Sequence, residues 1–132
     1  MSLNEKSISR LKEVHPDLQR VIYKAAEIYD GTFIVTEGVR TLKRQLELLA
    51  AGASQTMKSR HLTGHAVDLA VMVGDEARWD WPLYHGLAGA VKEAARLESV
   101  PVEWGGDWVK FKDGPHFQLP WKHYPIDEKE AA

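Results

Sequence analysis

Apolar residues in the first part of the chain recur at helical spacing. They stand three positions apart at Ile8, Leu11 and Val14, which predicts a short helix with one apolar face. Pro16 and Asp17 are a favourable helix opening, because proline fits the first helical position and an acid there complements the helix dipole. The apolar stripe that follows them predicts a second helix ending near residue 29.

The next pattern is that of a strand, a helix and a second strand. Residues 32–36 are all β-branched or aromatic, which predicts a strand. Thr41 can cap a third helix that runs to Gly52. Residues 53–65 lack periodicity and are rich in Ser, Thr, Gly and Lys, so we expect a loop there. The mostly apolar run 66–73 predicts a central strand.

The C-terminal half begins with a helix and continues with short strands. A weakly patterned stretch around Trp79 leads into a helix predicted over residues 83–97, whose many small residues suit close packing on a sheet. Short strands separated by glycine turns are predicted over residues 100–104, 108–111 and 116–119. Helices followed by such strands indicate the α+β class, with a small, mostly antiparallel sheet packed with helices.

Length and composition set limits on the function. The 132 residues predict a single domain, 1–132, whose last dozen residues, 121–132, are expected to fray. A net charge of -2 gives no electrostatic reason to bind nucleic acid, and no apolar run is long enough for membrane insertion. The absence of cysteine excludes thiol nucleophiles and thiolate metal sites. The first residues lack the apolar segment of a signal peptide, so we expect synthesis in the cytoplasm, and we expect a monomer.

Two imidazoles and two carboxylates form the candidate chemistry. His61 and Asp68 lie on a loop-to-strand path, and His116 follows the Asp113-Gly-Pro turn before the final predicted strand. A catalytic zinc ion commonly takes three His or acidic ligands and leaves a fourth position for water. We therefore expect His61, Asp68 and His116 to hold zinc, although two nitrogens and one oxygen also accept Mn²⁺ or Co²⁺. Asp113 is left as a general base, because it can reach the water without binding the ion.

Four segments of the chain resemble one protein family. Residues 59–68 have the pattern Ser-x-His-x-x-Gly-x-Ala-x-Asp, and residues 113–117 read Asp-Gly-Pro-His-Phe. Residues 38–41, Gly-Val-Arg-Thr with a downstream Gln, and residues 103–108, Glu-Trp-Gly-Gly-Asp-Trp, resemble two further motifs. Together they resemble the zinc-dependent D-alanyl-D-alanine carboxypeptidase and dipeptidase family, which includes bacteriophage L-alanyl-D-glutamate peptidases. Val39 stands where the family often has Tyr or Phe.

The resemblance implies the DD-peptidase/Hedgehog-like fold and a zinc site made of the three ligands named above. It places Asp113 in the position of the catalytic acid or base, which is often Glu in relatives. Arg40 would lie over the zinc and hydrogen-bond the carbonyl oxygen or the tetrahedral oxyanion of the reaction. Ser59 would bond the substrate or orient the first ligand, and Gln45 would contact the substrate.

Other residues near these motifs have competing interpretations. Glu103 is a rival for the general base, although the family position favours Asp113. His65 could support a ligand or compete with one, but a surface imidazole is the simpler interpretation. Trp104 and Trp108 could border the cleft or pack against the glycine turn between them.

The expected activity is hydrolysis of peptidoglycan stem peptides without a covalent intermediate. We expect an L-alanyl-D-glutamate endopeptidase that acts as a phage or prophage endolysin and reaches the cell wall through a holin-type lesion. The lack of a separate wall-binding domain favours a thin wall, such as that of a Gram-negative host. A D-Ala-D-Ala carboxypeptidase or dipeptidase is the alternative enzyme. A non-catalytic, zinc-stabilised binding module is the alternative from another class, and the presence of Asp113 and Arg40 speaks against it.

Overall fold

The computed structural model describes residues 3–52, 59–110 and 112–125. Its helices are α1 (Glu5–Leu11), α2 (Pro16–Ile28), α3 (Leu42–Ala50) and α4 (Trp81–Glu98). Its strands are β1 (Thr32–Glu37), β2 (Ala66–Val73), β3 (Glu76–Arg78), β4 (Glu103–Trp104) and β5 (His116–Gln118). One antiparallel sheet packed with helices confirms the predicted α+β class.

Side-chain caps fix where two of the predicted helices begin. The His15 ring accepts a hydrogen bond from the backbone N–H of Asp17 at 3.0 Å, and α2 begins at Pro16 as predicted. The Thr41 hydroxyl accepts one from the backbone N–H of Arg44 at 3.1 Å, so α3 begins directly after Thr41. Each cap satisfies a backbone donor that the first helical turn leaves without a partner.

Strand β2 is the central strand, as its apolar sequence predicted. It pairs with β1, β3 and β5, and β4 pairs with the other edge of β5. In the pairing of β2 with β5, Asp68 lies opposite His116. In the pairing of β2 with β1, a register shift after Val35 places Glu37 opposite Asp68. The sheet therefore gathers two of the predicted ligands and a further acid at neighbouring positions.

The hydrophobic core lies between the sheet and the helices. Helices α2 and α4 pack against each other, and α1 packs on β1. All of these elements contribute fully or almost fully buried side chains, among them Leu11, Leu18, Ile22, Phe33, Leu69, Leu87, Val91 and Phe117. The register of β2 and β5 is fixed by this core, because a slip of one residue would turn their apolar side chains to the opposite face.

Two strand predictions differ from the structure, and one strand was not predicted. The strand predicted over residues 108–111 is wrong for residues 108–110, which bend, and residue 111 lies outside the described part. The chain turns back here because the backbone N–H of Asp113 donates to the carbonyl oxygen of Gly105 at 3.0 Å. The strand predicted over residues 100–104 shortens to β4. The exposed hairpin strand β3 was not predicted, since its short run lacks an apolar face.

Residues 121–125 of the predicted C-terminal tail make long-range contacts with the rest of the domain. The Arg60 guanidinium donates to the carbonyl oxygen of Tyr124 at 2.6 Å and lies 4.1 Å from the centre of the Trp121 ring. The Tyr124 hydroxyl donates to Asp17 in α2 at 2.7 Å. These long-range contacts hold the segment in place, and its Pro- and Lys-rich composition does not reveal them.

Parts of two predictions fall outside the described residues, namely residues 53–58 of the predicted loop and residues 126–132 of the predicted tail. The remainder of that loop contains a 3-10 turn, Arg60–Thr63. Among the residues that the structure describes, no helix combines the length and apolarity needed to cross a membrane.

Candidate metal centre

Three side chains from different elements converge on one point. His61 comes from the 3-10 turn before β2, Asp68 from β2 and His116 from β5. His61 Nε2 lies 3.2 Å from Asp68 Oδ1 and 3.2 Å from His116 Nδ1, and His116 Nδ1 lies 3.3 Å from Asp68 Oδ1. The structure therefore brings together the three residues that the sequence predicted as ligands. We call this group the His61–Asp68–His116 cluster.

The hydrogen bonding of His61 determines which ring nitrogen carries the proton. The other nitrogen faces the cluster. His61 Nδ1 lies 2.9 Å from the carbonyl oxygen of Gly38. A carbonyl oxygen can only accept, so Nδ1 must carry the hydrogen. In the neutral ring, Nε2 then presents a lone pair to the cluster. The backbone N–H of Arg40 donates to the carbonyl oxygen of His61 at 2.8 Å. This hydrogen bond connects the segment after β1 to the 3-10 turn that carries His61.

A chain of two hydrogen bonds fixes His116 in the same way. Its Nε2 lies 2.8 Å from Gln118 Oε1, and Gln118 Nε2 donates to the Glu103 carboxylate at 3.1 Å. The carboxylate holds the amide nitrogen of Gln118, so the amide oxygen faces His116 and accepts from Nε2–H. In the neutral ring, Nδ1 is then the lone-pair nitrogen, and it points at Asp68. Such outer partners orient metal-binding imidazoles and raise their basicity.

The cluster thus consists of three acceptor atoms within 3.3 Å of one another. Without a shared cation or proton their lone pairs repel, and His61 and His116 are only 1% and 6% exposed, so water screens them little. Two imidazole nitrogens and one carboxylate oxygen are a donor set that suits zinc and related divalent ions. The residues present therefore fit a metal ion.

The pKa values of Asp68 and His116 are shifted in opposite directions by their contact. Burial alone would raise the pKa of Asp68, but the imidazoles of His116 and His61, when they carry a proton, outweigh it and hold that pKa below its ordinary value. Burial alone would lower the pKa of His116, but Asp68 outweighs it and the net shift is upward. A proton and a metal ion therefore compete for the same atom, His116 Nδ1.

Arg40 lies at the edge of the cluster and is held by an acid that sequence reasoning missed. Its Nε and Nη2 donate to the two oxygens of Glu37 at 2.6 and 2.8 Å. Nη2 also lies 3.8 Å from Asp68 Oδ2. The two residues are only three positions apart, and the register shift in β1 places Glu37 opposite Asp68 as well.

Ser59 and Gln45 both contact Arg40. The Ser59 hydroxyl oxygen accepts from the backbone N–H of His61 at 3.2 Å and from Arg40 Nη1 at 3.4 Å. Gln45 Oε1 accepts from Arg40 Nη1 at 2.7 Å, and the Gln45 side chain is 0% exposed. Of the two roles implied for Ser59, this arrangement fits orientation of the first ligand. Gln45 lies behind Arg40 and has no exposed surface with which to contact a substrate.

Asp113 stands in a tight turn that leads directly into His116. Its carbonyl oxygen accepts from the backbone N–H of His116 at 3.2 Å. Gly105 packs so closely on this turn that a Cβ there would overlap the Asp113 carbonyl oxygen, which explains why the Gly-Gly turn is needed. Burial, and next the charge of Asp68, raise the pKa of the half-buried Asp113 carboxyl. A carboxyl of raised pKa beside a cluster of ligands is suited to proton transfer.

The remaining alternatives have distinct positions. The Glu103 carboxylate binds Gln118 on the Nε2 side of the His116 ring, opposite the nitrogen that faces the cluster, which disfavours it as the base. His65 lies outside the cluster, where its ring packs near His15 and burial lowers its pKa to about 4. Trp104 is 4% exposed and packs in the core. Trp108 borders His116, with the ring centres 5.2 Å apart.

Comparison with known sequences places the chain among peptidases. The profile of the phage L-alanyl-D-glutamate peptidase family matches residues 1–119. The L-alanyl-D-glutamate peptidase of Listeria phage A118 is 40% identical over 94 residues, which are 71% of this chain and 32% of that protein. The corresponding peptidase of Escherichia phage T5 is 29% identical over 106 residues, 77% of each chain. The chain thus spans about a third of the first relative and about three quarters of the second.

Solved structures agree with this result. The crystal structure of the Serratia marcescens L-Ala D-Glu endopeptidase ChiX matches with a TM-score of 0.90 at 48% identity, over 96% of this chain and 95% of that one. The vancomycin resistance D,D-dipeptidase VanXYg matches with a TM-score of 0.54 at 19% identity, over 89% of this chain and 57% of that one. The second likeness concerns the fold alone, and it bears out the fold implied by the sequence motifs.

Replacing Gln118 with Leu should weaken the binding of Zn²⁺ about 10- to 100-fold, because His116 Nε2–H would lose the acceptor that keeps Nδ1 free. Calorimetric titration of metal-free protein measures the affinity. Gln19→Leu is the matched control, since among the described residues the Gln19 side chain donates to carbonyl oxygens in the connection between α1 and α2, at 2.7 Å to Val14 and 3.4 Å to Lys12. Equal affinity of the Gln118 variant and the unaltered protein would contradict the hydrogen-bond chain described above.

Proposed function

The chain belongs to the family of phage L-alanyl-D-glutamate peptidases, and we propose that it hydrolyses the L-alanyl–D-glutamate bond of peptidoglycan stem peptides with zinc as cofactor. The observation that carries the proposal is the convergence of two imidazole nitrogens and one carboxylate oxygen in the His61–Asp68–His116 cluster. The charges of all three residues act on the Asp113 carboxyl. The Serratia relative, which covers almost the whole chain, is named for this bond.

A zinc ion held by the cluster would supply a Lewis acid for the scissile carbonyl and would lower the pKa of a water molecule. Asp113 takes the proton from the attacking water and returns it to the amine of the departing D-glutamate. Its raised pKa suits both steps, because a carboxylate that is too acidic would not hold the proton between them. The attacking oxygen comes from water, so no covalent bond to the protein forms.

Arg40 stabilises the oxyanion that develops on the scissile carbonyl. Its Nη2 is the best-placed donor, because one hydrogen bonds Glu37 at 2.8 Å while the contact with Asp68 Oδ2 is loose, at 3.8 Å. Glu37 and Gln45 accept hydrogen bonds from the guanidinium and hold it in place, so the role of Gln45 is to position Arg40. Ser59 fixes the turn that carries His61. A donor that is already oriented needs no rearrangement in the transition state.

Digestion of purified stem peptide, followed by mass spectrometry, tests the proposed bond. We expect the products to be L-alanine and a peptide that begins with D-glutamate. Release of only a terminal D-alanine would instead identify a D-Ala-D-Ala carboxypeptidase, and an intact peptide in the presence of bound zinc would favour a non-catalytic binding module.

Replacing Asp113 with Asn should reduce turnover by about 10²-fold or more while zinc remains bound, since a base is lost and no ligand is. Metal content is measured by atomic emission and turnover with the stem peptide. Asp75→Asn, an exposed position in the turn between β2 and β3, is the control and should retain full turnover. A variant at position 113 with comparable turnover would show that another group is the base.

We also propose that the protein acts on the cell wall after release from the cytoplasm through a holin-type lesion. Two of its relatives are phage proteins, which supports this route. Bacteria that produce the chain in the cytoplasm should keep their optical density until chloroform permeabilises the membrane, and should then lyse. Lysis of untreated cells would argue against the requirement for a lesion.

A further inference from the structure

Arg60 has a buried, charged side chain that the proposed mechanism does not use. The residue directly precedes the ligand His61 in the 3-10 turn, and it is 2% exposed. Among the described residues, its Nη1 atom has no hydrogen-bond partner. A buried charge with an unsatisfied donor is costly, so its presence beside a metal ligand calls for an explanation.

The Arg60 guanidinium binds the segment that follows β5, residues 119–124. Its Nε and Nη2 donate to the carbonyl oxygen of Leu119 at 3.1 and 3.0 Å, and Nη2 also donates to the carbonyl oxygen of Tyr124 at 2.6 Å. The guanidinium lies 4.1 Å from the centre of the Trp121 ring. Two donors on one carbonyl oxygen require the planar fork of arginine, which the single ammonium group of lysine does not provide.

Backbone hydrogen bonds join the same turn to the end of β5. The N–H of His65 donates to the carbonyl oxygen of Arg60 at 3.0 Å, and the N–H of Leu119 donates to the carbonyl oxygen of His65 at 2.9 Å. Leu119 is therefore bound on both sides, and it lies three positions after His116. The turn that carries one imidazole of the cluster is thus attached to the strand that carries the other.

The sheet alone does not set the position of His61. The pairing of β2 with β5 places Asp68 opposite His116, whereas His61 precedes β2 and lies outside this pairing. Its Nε2 is nevertheless 3.2 Å from the facing atoms of both partners. Metal ligands must be held within about 0.5 Å of the productive geometry, so the attachment of this turn bears directly on metal binding.

We propose that Arg60 is a positioning residue for the metal site: it holds the turn that carries His61 against residues 119–124, at the separation from His116 that a zinc ion requires. The cost of burying its charge is offset by the three hydrogen bonds and the ring contact with this segment. The inference rests on the zinc site of the proposed function, but it does not depend on which peptide bond is cut.

Arg60→Lys keeps the positive charge and removes the fork. We expect the dissociation constant for Zn²⁺ to rise about tenfold, which is the lower end of the effect of losing a group that supports a metal ligand. Calorimetric titration of metal-free protein, well below the thermal midpoint of each variant, measures this constant. Trp121→Leu removes the ring beside the guanidinium at a position that is 40% exposed, so the fold is retained, and it should raise the constant about threefold.

Tyr124→Phe is the matched control. It lies in the same segment and loses the hydrogen bond from its hydroxyl to Asp17 at 2.7 Å, but it keeps the carbonyl oxygen that Arg60 binds. Its thermal midpoint should fall while its affinity for Zn²⁺ stays that of the unaltered protein.

A purely structural role of Arg60 predicts the behaviour of this control for Arg60→Lys as well, namely a lower thermal midpoint with unchanged zinc affinity, and that result would overturn the proposal. If Arg60→Lys does not fold, an unchanged zinc affinity of Trp121→Leu would overturn it instead. Should the unaltered protein bind Zn²⁺ and leave the stem peptide intact, the proposed function fails while the role of Arg60 is still decided by the titrations.

Discussion

The pairing of Asp68 with His116 across strands β2 and β5 is the constraint on which the rest of the site depends. Opposite residues on antiparallel strands have side chains close together on one face, so the sheet itself brings a carboxylate to an imidazole. The core behind these strands holds the pairing in register, because any slip would expose buried side chains such as Leu69 and Phe117. His61 completes the cluster from the 3-10 turn before β2.

The imidazoles are oriented by groups whose hydrogen-bonding roles are unambiguous. The Gly38 carbonyl oxygen can only accept, and it accepts the hydrogen bond from the proton-bearing nitrogen of His61. Its position is set by α1, because Gly38 approaches α1 so closely that a Cβ would overlap the carbonyl oxygen of Arg10. Arg10 in turn donates to the carbonyl oxygen of Val35 at 2.8 Å. The first helix, which carries no catalytic residue, thereby helps to orient a metal ligand.

Two charged systems adjoin the cluster. Glu37 and Arg40 form a nearly buried ion pair beside Asp68, and Glu103 binds His116 through Gln118. Glu103 adds a negative charge that does not itself coordinate, whereas Glu37 neutralises the guanidinium of Arg40 beside Asp68. Buried polar groups of this kind are favourable only when every member is paired, and these are. Among the described residues, Arg60 Nη1 and the Tyr84 hydroxyl are buried without a hydrogen-bond partner.

Residue patterns alone predicted the helices, the central strand and the three residues of the cluster, together with the acid at position 113. Helical spacing, a β-branched run and motif spacing are local properties, so they are readable without knowledge of the fold. The patterns failed for the segment at residues 108–110, where the turn depends on the contact of Asp113 with Gly105. They also missed β3, a short hairpin strand without an apolar face. The contact of Arg60 with Tyr124 joins distant parts of the chain and leaves no signal in the local pattern.

The sequence by itself determined which groups are available for chemistry, since side-chain identity decides what can bind a metal ion or transfer a proton. The tertiary structure decided how those groups are used. It placed Gln45 behind Arg40, Glu103 on the far side of His116 and Glu37 against Arg40. The physical reason is that hydrogen bonds and ion pairs act over about 3 Å, and only the folded chain brings residues from separate segments within that distance.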